Sequence, residues 1–118
     1  MISLETAKAL KDAGLKWEPE YGDWYHVERL GVNPQIVAIR DFNHTLIFNG
    51  ADLCTWIPRL DQLLAEIEKR NHDYRLSFSH GLYTIKQWER YGSVDIPGKS
   101  PEESAAKALL RILESEGE

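Results

Sequence analysis

The chain carries four histidines and one cysteine, the side chains best suited to holding a metal or forming a nucleophile. His26, Asp41 and His44 converge if the strand around His26 pairs near an Asp41–His44 turn, and His72 and His80 are close to each other in sequence. None of these sets has the HExxH or another ligand spacing, so no metal site is expected. Cys54 needs a neighbouring histidine to become a nucleophile. Beside Leu53 and Trp56 it reads instead as a small buried hydrophobe. No serine sits in a GxSxG elbow, and no glycine-rich loop follows a strand. Asp23, Glu28 and Asp41 read as solvated turn and strand-edge charges. The residues therefore assign no catalytic group, no cofactor and no metal. A small hydrolytic or metal-dependent enzyme is the least favoured reading, and a bound metal in the purified protein would revive it.

Two other sets point to binding. Trp17, Tyr21, Trp24 and Tyr25 place four rings within nine residues. That exceeds what one short strand can bury on one face, and Trp and Tyr dominate interface hot spots. An exposed protein-binding cluster is the expectation, with the alternative that half of the rings close a core over the first helix. Arg70, Arg75, Lys86 and Arg90 make up the second set, a candidate basic patch whose nucleic-acid binding would weaken steeply with salt. The formal charge of −5 makes nucleic acid the less favoured partner, because phosphate affinity comes from Lys and Arg displacing counterions.

The elements that must position these residues follow from spacing. Ser3 suits an N-cap, with Leu4, Ala7 and Leu10 at helical spacing and Gly14 at the C′ position, so a helix is expected over 4–13. Pro19 and Gly22 punctuate a loop. Trp24–Glu28 reads as a strand, Gly31–Pro34 as a turn, Ile36–Ile39 as a buried strand, Asp41–His44 as a turn and Thr45–Phe48 as a strand. The segment 49–57 reads as a boundary between two substructures. A second helix is expected over 58–70, with Pro58 at its first position and Leu60, Leu63, Leu64 and Ile67 as its apolar stripe. Tyr74, Leu76 and Phe78 alternate with Arg75, Ser77 and Ser79, predicting a half-buried strand. His80-Gly81 turns it into Leu82–Glu89, with Tyr83 and Ile85 on one face and Trp88 on the other. Val94–Ile96 is a third strand, stopped by Pro97-Gly98-Lys99. Ser100-Pro101-Glu102-Glu103 combines an N-cap serine, an N1 proline and a capping-box glutamate. Ala105, Ala108, Leu109, Ile112 and Leu113 then form a core-facing stripe.

The expected fold is therefore α+β in a single domain over 1–118. A helix and short antiparallel strands (1–50) precede an α-β-β-β-α unit (58–116), whose two helices pack on one face of an antiparallel sheet. The length suits one hydrophobic core, and the composition, 42% hydrophobic and 28% charged, is that of a globular chain. A single cysteine excludes an internal disulfide and suggests a reducing compartment, the cytoplasm. The start, Met1-Ile2-Ser3-Leu4-Glu5, has neither the basic beginning nor the apolar run of a signal peptide. No stretch approaches a membrane span of about 20 apolar residues. An unpaired edge strand would also let the domain dimerise.

The run Ala105-Ala106-Lys107-Ala108-Leu109-Leu110-Arg111-Ile112-Leu113 resembles the closing helix of the double-stranded RNA-binding domain family, and the helix–three strands–helix order of 58–114 is similar too. In that family, lysines at the start of the closing helix grip phosphates. Here Pro101, Glu102 and Glu103 stand in their place, and His80-Gly81 faintly echoes the family's minor-groove loop. The segments Ser3–Gly14, Ile57–Leu64 and Ser100–Leu110 look like those of small uncharacterised proteins carried by bacterial phages and prophages. This second resemblance implies a non-enzymatic accessory protein that binds a protein of the bacterial host cytoplasm or of the phage.

Overall fold

The computed structural model describes residues 1–18, 20, 22–29, 32–38, 54–70, 73–89 and 92–116. The expected Thr45–Phe48 strand, the Asp41–His44 turn, Tyr21, His72 and Arg90 lie outside the described residues. The fold is α+β, and the described residues form helices and two antiparallel sheets.

Helix α1 spans Leu4–Asp12. Ser3 caps it, its Oγ accepting the Thr6 N–H at 3.2 Å. At the other end the Leu15 N–H reaches the Leu10 carbonyl at 3.0 Å and the Gly14 N–H reaches Lys11 at 3.1 Å. That pair of bonds is a Schellman closure. It requires the left-handed backbone that Gly14 supplies at φ 103°. Ala7 and Leu10 are buried.

The first sheet has the order β2-β1-β3, from β1 (Trp24–Arg29), β2 (Val32–Ala38) and β3 (Cys54–Ile57). Two expectations are corrected here. Val32, Asn33 and Pro34 are strand, not turn. The register runs Val27↔Gln35 and then Arg29↔Val32, so one residue of β1 faces two of β2. A proline is tolerated there because the irregularity relaxes the ladder, and among the described residues no strand pairs with the other side of β2. Of the expected 49–57 boundary, 49–53 lie outside the described residues, and Cys54–Ile57 is strand, paired with β1 along its whole length.

Helix α2 spans Leu60–Lys69 and starts later than expected. Arg59 is the N-cap, and its N–H donates to the Gln62 side chain at 2.9 Å. Pro58 precedes the cap rather than opening the helix. Leu63 and Ile67 are fully buried, with Leu60 and Leu64 packed beside them.

The second sheet has the order β4-β5-β6, from β4 (Tyr74–Ser79), β5 (Leu82–Glu89) and β6 (Gly92–Gly98). Ser79 pairs with Leu82, leaving His80-Gly81 as the loop. Both loop residues have positive φ, 54° and 78°. That combination is the type I′ turn that matches strand twist. β6 runs on through Pro97 and Gly98, which were expected to stop it.

Helix α3 spans Pro101–Glu116 and lies on β5 and β6, with α1 and α2 packed against it. Ser100 caps it as expected, its Oγ accepting the Glu103 N–H at 3.1 Å. The other half of the expected capping box is absent. The Glu103 carboxylate turns to α1 instead, accepting the Ser3 N–H at 2.7 Å and the Thr6 hydroxyl at 3.2 Å. A carboxylate from one helix thus serves the unpaired N-terminal donors of another. Ala105, Ala106 and Ala108 are buried, and these small side chains let α3 approach the sheet closely. The Ser104 hydroxyl accepts the Ile85 N–H at 3.0 Å and donates to the Ile96 carbonyl at 2.6 Å. Ile85 and Ile96 are cross-strand partners, so this hydroxyl stands between two strands of the sheet. The core runs from Ile2 and Leu10 through Ile57, Leu63 and Ile85 to Leu109 and Leu113. No helix among the described residues is long and apolar enough to cross a membrane.

Candidate functional site

The expected aromatic cluster is divided between interior and surface, and a buried carboxylate organises it. Asp23 is 1% exposed, not the solvated turn charge expected of it. Its Oδ2 accepts the Trp17 indole N–H at 2.9 Å and the Glu20 N–H at 3.0 Å. Its Oδ1 accepts Gln62 Nε2 at 2.6 Å and lies 3.5 Å from the Arg59 guanidinium. Arg59 also donates to the Gly22 carbonyl at 2.8 Å. The loop before β1 is thereby tied to the first turn of α2.

The rings follow from that anchoring. Trp17 lies 5.6 Å from the Tyr25 ring and stacks near-parallel on Trp56 at 6.4 Å. Tyr25 is wholly buried, and its hydroxyl pKa is raised by burial and by nearby Cys54. Tyr25 is therefore an interior residue and not an interface anchor, while Trp17 has its N–H committed to Asp23. Trp24 is exposed, on the opposite face of β1. Cys54 is buried beneath Lys11, whose Nζ donates to the Cys54 carbonyl at 2.8 Å. Burial pushes the thiol pKa up and outweighs the pull of the Lys11 ammonium. A thiol held protonated is a poor nucleophile, in keeping with the small-hydrophobe reading.

A cleft of about 420 Å³ opens between residues 14–20 and α2, with Trp56 in its lining. The Trp56 Nε1 is enclosed without a hydrogen-bond partner. Lys16, Lys69 and Arg70 share its lining with Glu18, Glu20 and Glu66, so neither sign of charge dominates. The Arg70 guanidinium is held by Glu66 and, at 3.5 Å, by Glu116. Arg70 is thus committed to two carboxylates, whereas Arg75 and Lys86 stand opposite one another on β4 and β5. Among the described residues no group of His, Cys, Asp and Glu is placed to hold a metal ion.

The second sheet presents a different surface. Its Tyr74, Leu76, Ile85 and Ile96 side faces α3 and the core. The other side carries Arg75 opposite Lys86, Lys86 opposite Asp95, Ser77 opposite Thr84, and Trp88 opposite Ser93. Arg75 lies over the Trp88 ring at 5.9 Å, in reach of a cation–π contact. Along β5 this outer row reads Leu82, Thr84, Lys86, Trp88. Leu82 is 45% exposed and Trp88 42%. At the hairpin tip Phe78 is 61% exposed, although it points to the helix side and touches Tyr83 at 4.7 Å. The alternation in residues 74–88 did announce an outer face and put Trp88 on it. That no described element covers this face depends on where α1, α2 and α3 pack, which the alternation does not encode. No protein-family model, characterised protein or solved structure matches the chain.

Proposed function

We propose that the protein is a non-enzymatic accessory protein, of the phage or prophage kind, that acts by protein–protein contact through the outer face of the second sheet. The single observation that carries this reading is the Leu82–Trp88 row. Two large apolar side chains lie on the central strand, on a face that no described element covers. Exposed apolar groups flanked by polar ones are the usual make-up of an interface centre and rim. The Trp17–Tyr25 cluster is displaced as the main contact because Tyr25 is interior and Trp17 is bonded to Asp23. The test is affinity capture from bacterial host lysate with the native chain, Leu82→Ser, Trp88→Ala and Trp24→Ala. A partner lost with the first two variants and kept with Trp24→Ala supports the outer face. Equal capture by all four chains refutes it.

A second reading, a single-stranded nucleic-acid platform, is favoured by Arg75 and Lys86 standing side by side next to Trp88. Cations beside an exposed ring are the parts of such a platform. Two cations neutralise about two phosphates, giving a log–log salt slope of only about −1.4 for a single strand. Asp95, directly opposite Lys86, reduces even that. Anisotropy of a labelled oligonucleotide at low and moderate salt decides the matter, and no binding at low salt ends this reading. Gripping an RNA duplex through the start of α3 is disfavoured further, because the Glu103 carboxylate is engaged at the N-terminus of α1.

A further inference from the structure

We infer that two copies of this chain pair through the free edge of β4, antiparallel about a two-fold axis, into one continuous sheet. The inference begins from a contrast among the sheet edges. An exposed strand edge invites pairing with another chain, and proteins blunt it with proline, bulges, short strands or charge. β2 carries Pro34 and a register irregularity. β3 is only four residues long. β6 carries Pro97, Asp95 and terminal glycines. β4 has no proline, no glycine and an unbroken register with β5 from Tyr74 to Ser79. Among the described residues no strand pairs with its other edge.

The hydrogen-bond phase shows which backbone groups are available. The Trp88 N–H donates to the Asp73 carbonyl at 3.2 Å. In an antiparallel ladder bonded and non-bonded pairs alternate, so Arg75, Ser77 and Ser79 direct their backbone groups to β5. Tyr74, Leu76 and Phe78 direct theirs outward. A two-fold axis through Leu76 sets Leu76 against Leu76 of a second copy and Tyr74 against its Phe78. All three outward residues of each copy are then used, making about six backbone hydrogen bonds. The same register keeps like charges apart, since Arg75 falls opposite a serine, Ser77. It also covers Phe78, which is 61% exposed on the helix side of the strand. Aromatic and aliphatic cross-strand pairs of this kind are favourable. A second copy fits better than a foreign strand because this one register satisfies backbone, apolar and charge matching with the strand's own sequence.

The edge backbone and the outer face are different surfaces, so pairing here stands independently of the partner proposed above. The test combines sedimentation equilibrium with hydrogen exchange across a range of protein concentrations. The native chain is expected to dimerise, with the Tyr74, Leu76 and Phe78 amides gaining protection as concentration rises. Phe78→Lys places a charge at the edge and should weaken the dimer at least about tenfold. Phe78→Pro removes one outward N–H and leaves the bonds to β5 in place, so it should weaken the dimer as well. Leu82→Ser, on the outer face, should leave it unchanged. Circular dichroism checks that each variant is folded. A monomer at all concentrations overturns the inference, and so does a dimer whose three outward amides exchange freely. Loss of the dimer with retention of a captured partner separates the edge from the outer face.

Discussion

The loop before β1 and the outer face of the second sheet use polar residues in opposite ways. Around Asp23 a carboxylate has been taken out of water and given Trp17, Glu20, Gln62 and Arg59 as partners. On the second sheet Arg75 and Asp95 are exposed and Lys86 half-buried, and Leu82 and Trp88 among them are left exposed. Burial with full pairing makes a joint that holds two elements in one arrangement. On the outer face the charged groups meet one another and the Trp88 ring, and nothing there ties two elements together through a buried group. The difference places structural duty on Trp17 and Tyr25 of the aromatic segment, and it is why the contact proposed above is put on the outer face of the second sheet.

The largest expected effect breaks the first region. Asp23→Ala leaves the Trp17 indole N–H, the Glu20 N–H and the Gln62 amide without their acceptor. Removing one member of a buried charged network costs about 3–5 kcal/mol, and urea unfolding measures it. A loss under about 1 kcal/mol would show that the carboxylate is not the joint described here.

The covered face of the second sheet supplies the next test. A Cβ on Gly98 would lie 2.6 Å from the Ser104 nitrogen and 2.9 Å from its Cα. Both are helix backbone, which cannot rotate aside. Gly98→Ala must therefore lift the start of α3 and disturb the Ser104 bonds to Ile85 and Ile96. Overpacking of this kind costs about 1–3 kcal/mol, and the upper end is expected because a helix has to move. The denaturation midpoint measures it, and no change would mean that α3 rides more loosely on β6 than the contacts imply.

Cys54 tests the enclosure of β3 through pH. Burial raises its folded pKa, so the fold favours the protonated thiol. That contribution is complete below the unfolded thiol's value of about 8.5 and is lost as pH rises through the higher folded value. The native chain should therefore lose stability above about pH 8.5 more steeply than Cys54→Ala. Parallel pH profiles of the two chains would remove Cys54 from the enclosed set.

What could be read beforehand divides along the same line. The apolar stripe of Leu60–Ile67, the Ser3 and Ser100 caps and the alternation from Tyr74 to Phe78 are local patterns, and each appears where it was expected. β3 was missed because Cys54–Ile57 is too short to show a period and is buried at three of its four positions. The Asp23 joint was missed because its partners stand at 17, 20, 59 and 62, and no local rule connects a loop aspartate to a helix 39 residues away. Glu103 is the sharpest case. Ser100-Pro101-Glu102-Glu103 is consistent with a capping box, and only the arrival of α1 at the same place, 100 residues away in sequence, redirects its carboxylate. Short-range chemistry is visible in the chain, whereas the use of a polar group across elements depends on packing.

The smallest expected stability change bears on the outer face. Trp88→Ala removes a ring that is 42% exposed and touches Arg75 through a solvent-facing cation–π contact. Such a contact is worth about 0.5–1 kcal/mol at an exposed site, and the ring covers no residue of the core cluster. The urea midpoint should therefore move by less than about 1 kcal/mol equivalent. A loss of 2 kcal/mol or more, on the order of a buried aromatic, would place Trp88 inside a packed structure and remove the contrast between the two regions. A small loss combined with lost partner capture would show the opposite, that the ring contributes little to the fold and much to binding. Tryptophan at a solvent-facing position of a central strand exposes apolar area that does nothing for folding, and an interface is where such area becomes useful.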